Sequence, residues 1–457
     1  MGLGPTSRPI QSSFPARFTT WACQPSLSVV PEAQTAARLS LVDTYACMKV
    51  GAAERQSVVT AQALNASGDG GLVLPVGGGE RRSLYGAAIL NGVRSHAIDF
   101  DDYEIAGSTH VSAPLFSALL ALSQPQTLSL SDVCNAWIVG FEAIVWIGTA
   151  LGYGHYEKGW HSTATLGPIG VAAACARALQ LGPEQMAHAM AIATSSSAGM
   201  KAQFGSDAKA LHVGLAAESG LRAAVLAQAG VTGNTDLWDA TQGLQELYGT
   251  PSSPGFQAML EQMREGEALQ QFPVVRKFWP SCSYTHRIIA CAQVLADAVP
   301  EARAIERITL RQPEPFHRVS GFGTPTTSNE ARFSSVYCAV VALLEGQVVP
   351  EDFLIERFAR PERQRLCGRV DLDLYALPKV PPDQLLALTP ERMTVRLLDG
   401  RLITHETALL PGSAAKPMTE HDVLNKVEDC GGSRTALASL LSAPEGSRLE
   451  EFGLFAA

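Results

Sequence analysis

The sequence has little of what marks several large protein classes. Its nine cysteines are irregularly spaced and form no Cys-x-x-Cys pair, which favours buried thiols in a reducing compartment over a disulfide framework or a zinc site. Lysine and arginine form no basic stripe and the net charge is −9, so nucleic acid is not expected as a partner. Aromatic residues are only 7% of a chain that is 46% hydrophobic, a composition typical of packed helices.

Long uninterrupted hydrophobic runs are also missing. The best candidate for a membrane span is residues 136–153, but Glu142 interrupts it and Gly140, Gly148 and Gly152 lie within it. A charged residue in the middle of a span is costly in lipid. We therefore predict a buried core helix here and no membrane partner.

The residues before Glu32 contain no acidic side chain, two arginines (Arg8 and Arg17) and several serines. Such a composition resembles an organelle transit peptide. The interpretation we prefer is a flexible leader over residues 1–30 of a cytoplasmic protein, with the mitochondrion as the alternative location.

Most of the chain that follows has the periodicity of helices. A length of 457 residues exceeds one typical core, so two domains are expected. Residues 31–268 read as one helix after another. Residues 164–181 and 212–230 are rich in alanine with periodic apolar positions, as close packing of helices requires.

Between residues 269 and 411 the pattern changes. Residues 305–310 alternate like a strand, and a helix is predicted at 331–344. Residues 393–398 and 402–409 flank Asp399-Gly400, which predicts a hairpin with a type I′ turn. Helix returns in residues 412–457, where Thr419 to Asp422 has the sequence of a capping box.

The most informative feature is a run of histidine and aspartate residues after an apolar stretch. Like charges held this close push their pKa values apart, which is how a fold obtains an acid and a base at one pH. The alternative is a helix end, where aspartate caps free N–H groups and complements the macrodipole. The residues are His96, Asp99, Asp101, Asp102 and, further on, His110.

Three further polar clusters lie between hydrophobic runs: residues 154–163, 209–214 and 279–286. A lone histidine in such a place is more often a satisfied core residue than a catalyst. Four clusters at loop-to-helix junctions are harder to dismiss, because helix N-termini bind anionic ligands through free N–H groups and the dipole.

Together these segments resemble the MmgE/PrpD family, which includes 2-methylcitrate dehydratase, cis-aconitate decarboxylase and iminodisuccinate epimerase. The similarity covers nearly the whole chain and keeps the family's order and approximate spacing. The matching pieces are Asn91-Gly92 with His96 to Asp102, Gly159 to Thr163, Lys209 to His212, Pro280 to His286 and Glu330 to Ser334.

The resemblance implies a mainly α fold. A large all-helical domain would be built from both chain ends, residues 31–268 and 412–457, with a smaller α+β lid domain at 269–411. It further implies a homodimer, an active site between the two domains and a small di- or tricarboxylate substrate. No cofactor and no metal are expected.

Site residues carry over from the matching positions. Lys209 and His161 would bind and polarise substrate carboxylates, and His286 or His110 would exchange the proton. Asp99 would orient an imidazole and set its tautomer. Helix capping is the alternative role for Asp99 and His286. The expected catalytic residues are Asp99, His110, Tyr156, His161, Lys209 and His286.

Other residues of these clusters are interpreted as structural. His96 and Asp99, three positions apart, could share a helix face and bind a metal, but the sequence offers no convincing third and fourth ligands. Asp101, Asp102 and His212 are expected to support the fold.

The leading functional hypothesis is dehydration of a citrate-like tricarboxylate, 2-methylcitrate or an alkylcitrate, by proton abstraction next to a carboxylate. This needs a base and donors where negative charge develops. An epimerase of a substituted succinate is second, because residues 154–161 resemble that branch and Tyr156 with Lys209 could serve opposite faces of one carbon. A cis-aconitate-type decarboxylase is third, since residues 318–323 lack that branch's lid tyrosine. A non-catalytic carboxylate-binding homologue is the fourth.

Overall fold

The computed structural model describes residues 13–299, 301–378 and 388–455. In the first part of the chain the helices are α1 Phe14–Ala22, α2 Ala33–Gly51, α3 Arg55–Ala66, α4 Leu84–His96, α5 Ser112–Gln126, α6 Leu130–Leu151, α7 Tyr153–Glu157, α8 Ser162–Ala178, α9 Pro183–Ala193, α10 Ala208–Gln228, α11 Leu244–Tyr248, α12 Gly255–Gln262, α13 Ala268–Gln271 and α14 His286–Ala296.

The second part mixes strands with helices. In chain order they are β1 Ile305–Pro313, α15 Glu314–Val319, α16 Ser328–Arg332, α17 Ser335–Glu345, α18 Ile355–Phe358, α19 Pro361–Cys367, β2 Val370–Tyr375, β3 Glu391–Leu397, β4 Leu402–Thr407, α20 Glu420–Asp429 and α21 Arg434–Ser442. The predicted mainly α fold with a smaller α+β part is confirmed.

Small residues let the central helices approach closely. A Cβ added at Gly92 of α4 would lie 2.5 Å from the Cα of Gly214 in α10, so both positions need glycine for this contact. The two helices cross here with the C-terminal end of α4 beside the N-terminal end of α10. This crossing brings His96 and Lys209 together, one at each of those ends.

Helix α6 is the buried core helix that residues 136–153 predicted. Ser129 and Asp132 form a capping box at its start. Two helices, α6 and α10, are long and apolar enough to span a membrane by length and composition, and 89% and 61% of their most apolar windows are buried within the protein.

Two hydrophobic clusters organise the described residues. The larger draws on residues 14–274 and 418–455, because α20 and α21 pack back on α2. The smaller draws on residues 279–397. It lies between α14, α17 and a four-stranded sheet in the order β2-β1-β3-β4, in which β1 and β2 are parallel and the other pairs antiparallel.

The hairpin between β3 and β4 forms, but its predicted type I′ turn is wrong. Gly400 has a φ of +88°, whereas Asp399 does not have a positive φ. The N–H of Gly400 donates to the Leu397 carbonyl, and that of Leu397 to Arg401. The connection is thus a three-residue loop with glycine in the left-handed position, the next most common hairpin geometry.

Two other sequence predictions need correction. The leader is not flexible throughout, because α1 buries Phe14, Phe18 and Trp21 in the larger cluster; residues 1–12 lie outside the described part. The helix predicted at 331–344 is divided into α16 and α17, because the Ser334 hydroxyl caps a new helix by accepting from the Tyr337 N–H. The capping box that opens α20 is confirmed.

Candidate active site

The candidate site lies in the segment that joins α4 to α5. Asp99 has a φ of +53°, a left-handed conformation that aspartate tolerates better than most residues. This turn directs consecutive acids to different partners. Asp102, interpreted as structural, accepts hydrogen bonds from the Ser112 N–H at 3.1 Å and hydroxyl at 2.6 Å, and so secures the start of α5.

Two ammonium groups meet on one carboxylate oxygen. The Nζ atoms of Lys209 and Lys277 lie 2.8 Å and 2.9 Å from Oδ1 of Asp99, and Lys277 also donates to the Asp99 carbonyl at 2.6 Å. All three side chains are buried. Burial raises the pKa of Asp99, but the two ammonium groups outweigh it and hold the pKa well below its usual value.

Asp101, not Asp99, orients the imidazoles. Its carboxylate accepts a hydrogen bond from Nδ1 of His96 at 2.8 Å and lies 3.1 Å from Nδ1 of His110, without hydrogen-bond alignment there. We assign the proton to Nδ1 of His96, which leaves its Nε2 as the acceptor, and the nearby carboxylate favours the same tautomer for His110. Lys209 Nζ, 2.7 Å from Nε2 of His96, fits that assignment. The Nδ1 atoms of both rings thus face Asp101, which the sequence analysis interpreted as structural, whereas Asp99 lies nearer the Nε2 atoms, at 3.9 Å from His96 and 3.7 Å from His110.

The histidines of this cluster are held neutral. Burial lowers the pKa of His96 to about 4, against the opposing effect of Asp101. Burial lowers the pKa of His110 too, with Lys277 and Lys209 acting in the same direction. The pKa of His161 lies well below its usual value because of burial and then Lys209. These rings accept protons or hydrogen bonds rather than carry a charge.

The two ring nitrogens of His161 differ in their hydrogen bonding. Its Nδ1 lies 2.9 Å from Nδ1 of His212, so His212 positions His161. Within the described chain its buried Nε2 has no hydrogen-bond partner. Buried polar atoms normally find partners, so this nitrogen is a candidate acceptor or donor for substrate.

Tyr156 lies on the same cavity wall. The Nζ of Lys201 stands 3.8 Å from the centre of its ring, and Tyr153 stacks on it with a centroid separation of 5.7 Å. Burial raises the pKa of Tyr156 well above its usual value. The hydroxyl therefore stays protonated and can donate to an anion.

His286 does not face the cavity. Its Nε2 lies 3.3 Å from the Ser281 carbonyl, and its ring packs edge-on against Trp279. Burial lowers the pKa of His286 to about 3. The proton-exchange role predicted for it finds no support in this placement, which suits the alternative helix-end role.

The cavity has a volume of about 1020 Å³ and is lined by residues of both the helical part and the α+β part of the chain. Its wall contains Asp99, His110, Tyr156, His161 and Lys209 of the predicted set. The sequence reasoning missed several members. Among those that carry a polar group on this wall are Tyr103, Glu104, Tyr153, Lys277, Ser283, Tyr284 and Arg287.

The sequence contains a signal for the buried cations that it was not used to predict. Lys277 follows Arg276 inside the otherwise apolar stretch Val274 to Trp279, where a charge is expected to have a partner. Arg287 is also buried; its Nε donates to the Ala408 carbonyl.

The cluster also contains possible metal ligands. Donor atoms of His96, Asp99, Asp101 and His110 lie within 4.8 Å of one another, so the structure supplies the ligands that the sequence could not. Lys209 Nζ, however, contacts both the His96 Nε2 and the Asp99 Oδ1. The lysine ammonium thus lies between these donors, where a metal ion would bind. Lysine cations therefore compensate the negative charge of the donor set.

Comparison with known proteins identifies the family of the chain. The MmgE/PrpD N-terminal domain model matches residues 16–257 and the C-terminal domain model matches residues 279–439. The cis-aconitate decarboxylase of Mus musculus is 31% identical over 357 residues, which covers 74% of this chain and 70% of the relative. That of Homo sapiens is 29% identical over 74% and 71% of the two chains. That of Aspergillus terreus is 27% identical over 93% and 90%. The chain belongs to the MmgE/PrpD family.

Proposed function

We propose that the protein is a lyase that releases carbon dioxide from an unsaturated tricarboxylate of the cis-aconitate type. The observation that carries the proposal is the pair of buried ammonium groups, Lys209 and Lys277, on a cavity wall beside neutral histidines. Lysine cations bind carboxylates. The decarboxylase relatives support the choice of reaction.

The reaction balances without an electron carrier. The bond between a methylene carbon and its carboxylate carbon breaks, and its electron pair forms a new double bond. The electrons of the former double bond take up a proton at the far carbon, and carbon dioxide leaves. The protein must hold the remaining carboxylates, stabilise the charge that spreads during bond breaking and supply one proton.

His110 is our candidate for the proton carrier. It lines the cavity, its Nδ1 is directed to Asp101, and its Nε2 is 3.7 Å from the Asp99 carboxylate. When a polyanionic substrate binds, the pKa of this imidazole rises, so it can take a proton from solvent and deliver it to carbon. Tyr156 offers a further hydroxyl donor to a carboxylate.

Dehydration of a citrate-like acid is the second candidate. It needs an acid that protonates the departing hydroxyl. The protonated hydroxyl of Tyr156 is the observation that keeps this reaction open, because burial raises its pKa.

The test is incubation of purified protein with cis-aconitate, citrate and 2-methylcitrate in deuterated water, followed by proton NMR and carbon dioxide detection. Decarboxylation predicts release of carbon dioxide and one deuterium in the product. A new alkene without carbon dioxide supports dehydration instead, and deuterium exchange without net conversion supports epimerisation. Silence towards every acid would contradict the proposal and favour a carboxylate-binding homologue.

His110→Asn tests the proton carrier. The variant should lose turnover by about 100-fold or more, the usual effect of a general acid or base, and its affinity for the acid should no longer rise as the pH falls. His188→Asn is a matched control, because His188 lies on α9 away from the cavity wall and bonds the Gly233 carbonyl.

We also propose that the protein is a homodimer. Leu215 and Leu226 on α10 are 44% and 37% exposed, which leaves apolar side chains on a long helix without cover. Light scattering of the purified protein measures the mass, and a monomer at micromolar concentration would contradict the proposal.

A further inference from the structure

Two consecutive carbonyl groups of the segment between α4 and α5 accept from lysine ammonium groups. The Asp99 carbonyl accepts from Lys277 at 2.6 Å, and the Phe100 carbonyl accepts from Lys426, also at 2.6 Å. Lys277 lies on the cavity wall. Lys426 lies on α20, a helix of the C-terminal part of the chain that contributes no residue to that wall. The segment is therefore held from the cavity side and from the side of the core.

The Lys426 ammonium makes three contacts in the core. Besides the Phe100 carbonyl, it lies 2.8 Å from Oδ1 of Asp43 on α2 and 3.8 Å from the centre of the Phe100 ring. Both charged side chains are buried. Burial lowers the pKa of Lys426, but Asp43 outweighs it and holds the pKa above its usual value. The lysine is therefore a cation that is directed at the main chain of the candidate site.

Stability alone is a weak reason for a buried ion pair at this place. Two charges lose their hydration when they are buried, and their attraction often no more than offsets that loss. The contact of Lys426 with the Phe100 carbonyl is different in kind, because a charge-assisted hydrogen bond is short, strong and directional. It can fix the position of a peptide group that apolar packing would leave less well defined.

The peptide group that Lys426 holds leads directly to Asp101. A peptide group is planar, so the Phe100 carbonyl and the N–Cα bond of Asp101 turn together. The Asp101 carboxylate in turn accepts from Nδ1 of His96 and lies 3.1 Å from Nδ1 of His110. A rotation of this one peptide group would therefore move the carboxylate away from both imidazoles.

We propose that Lys426 is a positioning residue, which holds the Phe100 carbonyl so that the Asp101 carboxylate faces His96 and His110. The inference rests on the proposed function for the part that His110 plays in the reaction. Asp43 is the anchor of the ammonium. The C-terminal part of the chain thereby acts on the chemistry although α20 does not line the cavity.

Two variants separate position from stability. Lys426→Met removes the donor and leaves the Asp43 carboxylate without its ammonium partner, so the thermal midpoint should fall by about 5 °C or more. Its kcat should fall by ~10- to 100-fold, with little change in KM. Lys426→Met/Asp43→Asn restores the balance of charge but not the donor. The double variant should regain most of the lost stability, while its kcat stays low.

Two controls accompany these variants. Asp43→Asn alone keeps the contact between Lys426 and the Phe100 carbonyl, and should retain more turnover than either variant that lacks the lysine. Arg363→Met breaks another buried ion pair, in which Arg363 contacts Asp352 at 2.8 Å away from the cavity wall. It should lower the midpoint and leave kcat unchanged. If the kcat of the double variant recovers together with its midpoint, the inference is overturned.

Proton NMR of the imidazole N–H groups reports the position of Asp101 without any turnover. The hydrogen bond from Nδ1 of His96 to Asp101 should give a downfield resonance, which Asp101→Asn identifies by removing it. We expect this resonance to move upfield or broaden in Lys426→Met and in the double variant, and to keep its place in Arg363→Met. An unchanged resonance in folded Lys426→Met protein would also overturn the inference.

The two proposals can fail separately. If the parent protein turns over no acid, the proposed function fails, and the imidazole resonance by itself decides on Lys426. If cis-aconitate reacts and the double variant keeps both its resonance and its kcat, the positioning role fails and the proposed function stands.

Discussion

Removal of the Lys277 ammonium tests the electrostatic design of the site most directly. In Lys277→Met the aliphatic part is kept, but the Asp99 carboxylate is left with Lys209 as its one ammonium partner, and the Asp99 carbonyl loses a donor at 2.6 Å. Loss of one partner of a buried ion pair typically costs ~3–5 kcal/mol. Because Lys209 remains, we expect about 3 kcal/mol of lost unfolding free energy.

Catalysis should fall as well. Removal of one preorganised donor to developing charge usually lowers kcat by roughly 100- to 1,000-fold, and Lys277 lines the cavity. Urea unfolding followed by circular dichroism gives the stability, and carbon dioxide release gives the turnover. Lys416→Met, at an exposed position, controls for loss of a lysine and should lie within ~0.5 kcal/mol of the parent.

A double variant separates charge from packing. Asp99→Asn is a suitable partner change because asparagine also accepts the left-handed backbone at this position. If the ion pair stabilises the fold, the double variant Asp99→Asn/Lys277→Met should lose about 1–3 kcal/mol less unfolding free energy than the two single variants lose together. Strict additivity, or a Lys277→Met protein with parental stability and turnover, would refute the reasoning.

Three further predictions follow from other contacts. Asp101→Asn should lower kcat/KM by ~10- to 100-fold. It should also move the alkaline limb of the pH profile, where His110 no longer takes up its proton, to lower pH, because the Asp101 charge raises the pKa of both imidazoles it faces; an unshifted profile would contradict this. Burial raises the pKa of Glu391 to about 8, so the folded state loses stability as pH rises from about 4.5 to 8. The unfolding free energy of Glu391→Gln, measured in urea, should therefore rise by about 3 kcal/mol relative to that of the parent between pH 5 and 8. A difference that does not change with pH would argue against a buried neutral acid. Gly92→Ala should lower the unfolding free energy by about 1–3 kcal/mol, because its Cβ meets the Gly214 backbone. Gly70→Ala, at an exposed position outside any helix with open space around it, should change it by less than ~0.5 kcal/mol.

The sequence predicted which clusters meet, because their positions follow from helix packing. His96 and Lys209 stand at the ends of α4 and α10, whose contact needs the glycines at 92 and 214. His161 is the residue before α8, the helix that packs on α10. Polar residues at the junctions of tightly packed helices can occupy few positions, so the sequence pattern and the order of the helices predict that they meet.

Direction of the side chains could not be read in the same way. Asp99 and Asp101 differ in role because of one left-handed residue between two helices, and no periodicity reports a single φ angle. His286 begins α14, where a change of one position turns a side chain by about 100° around the axis, enough to move it from the cavity to Trp279. The predicted turn type at Asp399-Gly400 was wrong for the same reason, because it too depends on single φ angles.

The charges of the site bear on how a proton reaches carbon. With the histidines neutral, the two ammonium groups of Lys209 and Lys277 are balanced by the carboxylates of Asp99 and Asp101. The proposed tricarboxylate substrate would add three negative charges to this neutral, buried set, and uncompensated burial of charge is costly. Uptake of a proton by His110 would be the nearest compensation, since its Nδ1 lies 3.1 Å from the Asp101 carboxylate. In the proposed reaction binding and protonation are then one event: affinity should rise as pH falls towards the ordinary histidine pKa, and the proton taken up is the one that the reaction would consume. Binding enthalpies that are independent of the ionisation enthalpy of the buffer would exclude this coupling and return the role of donor to Tyr156.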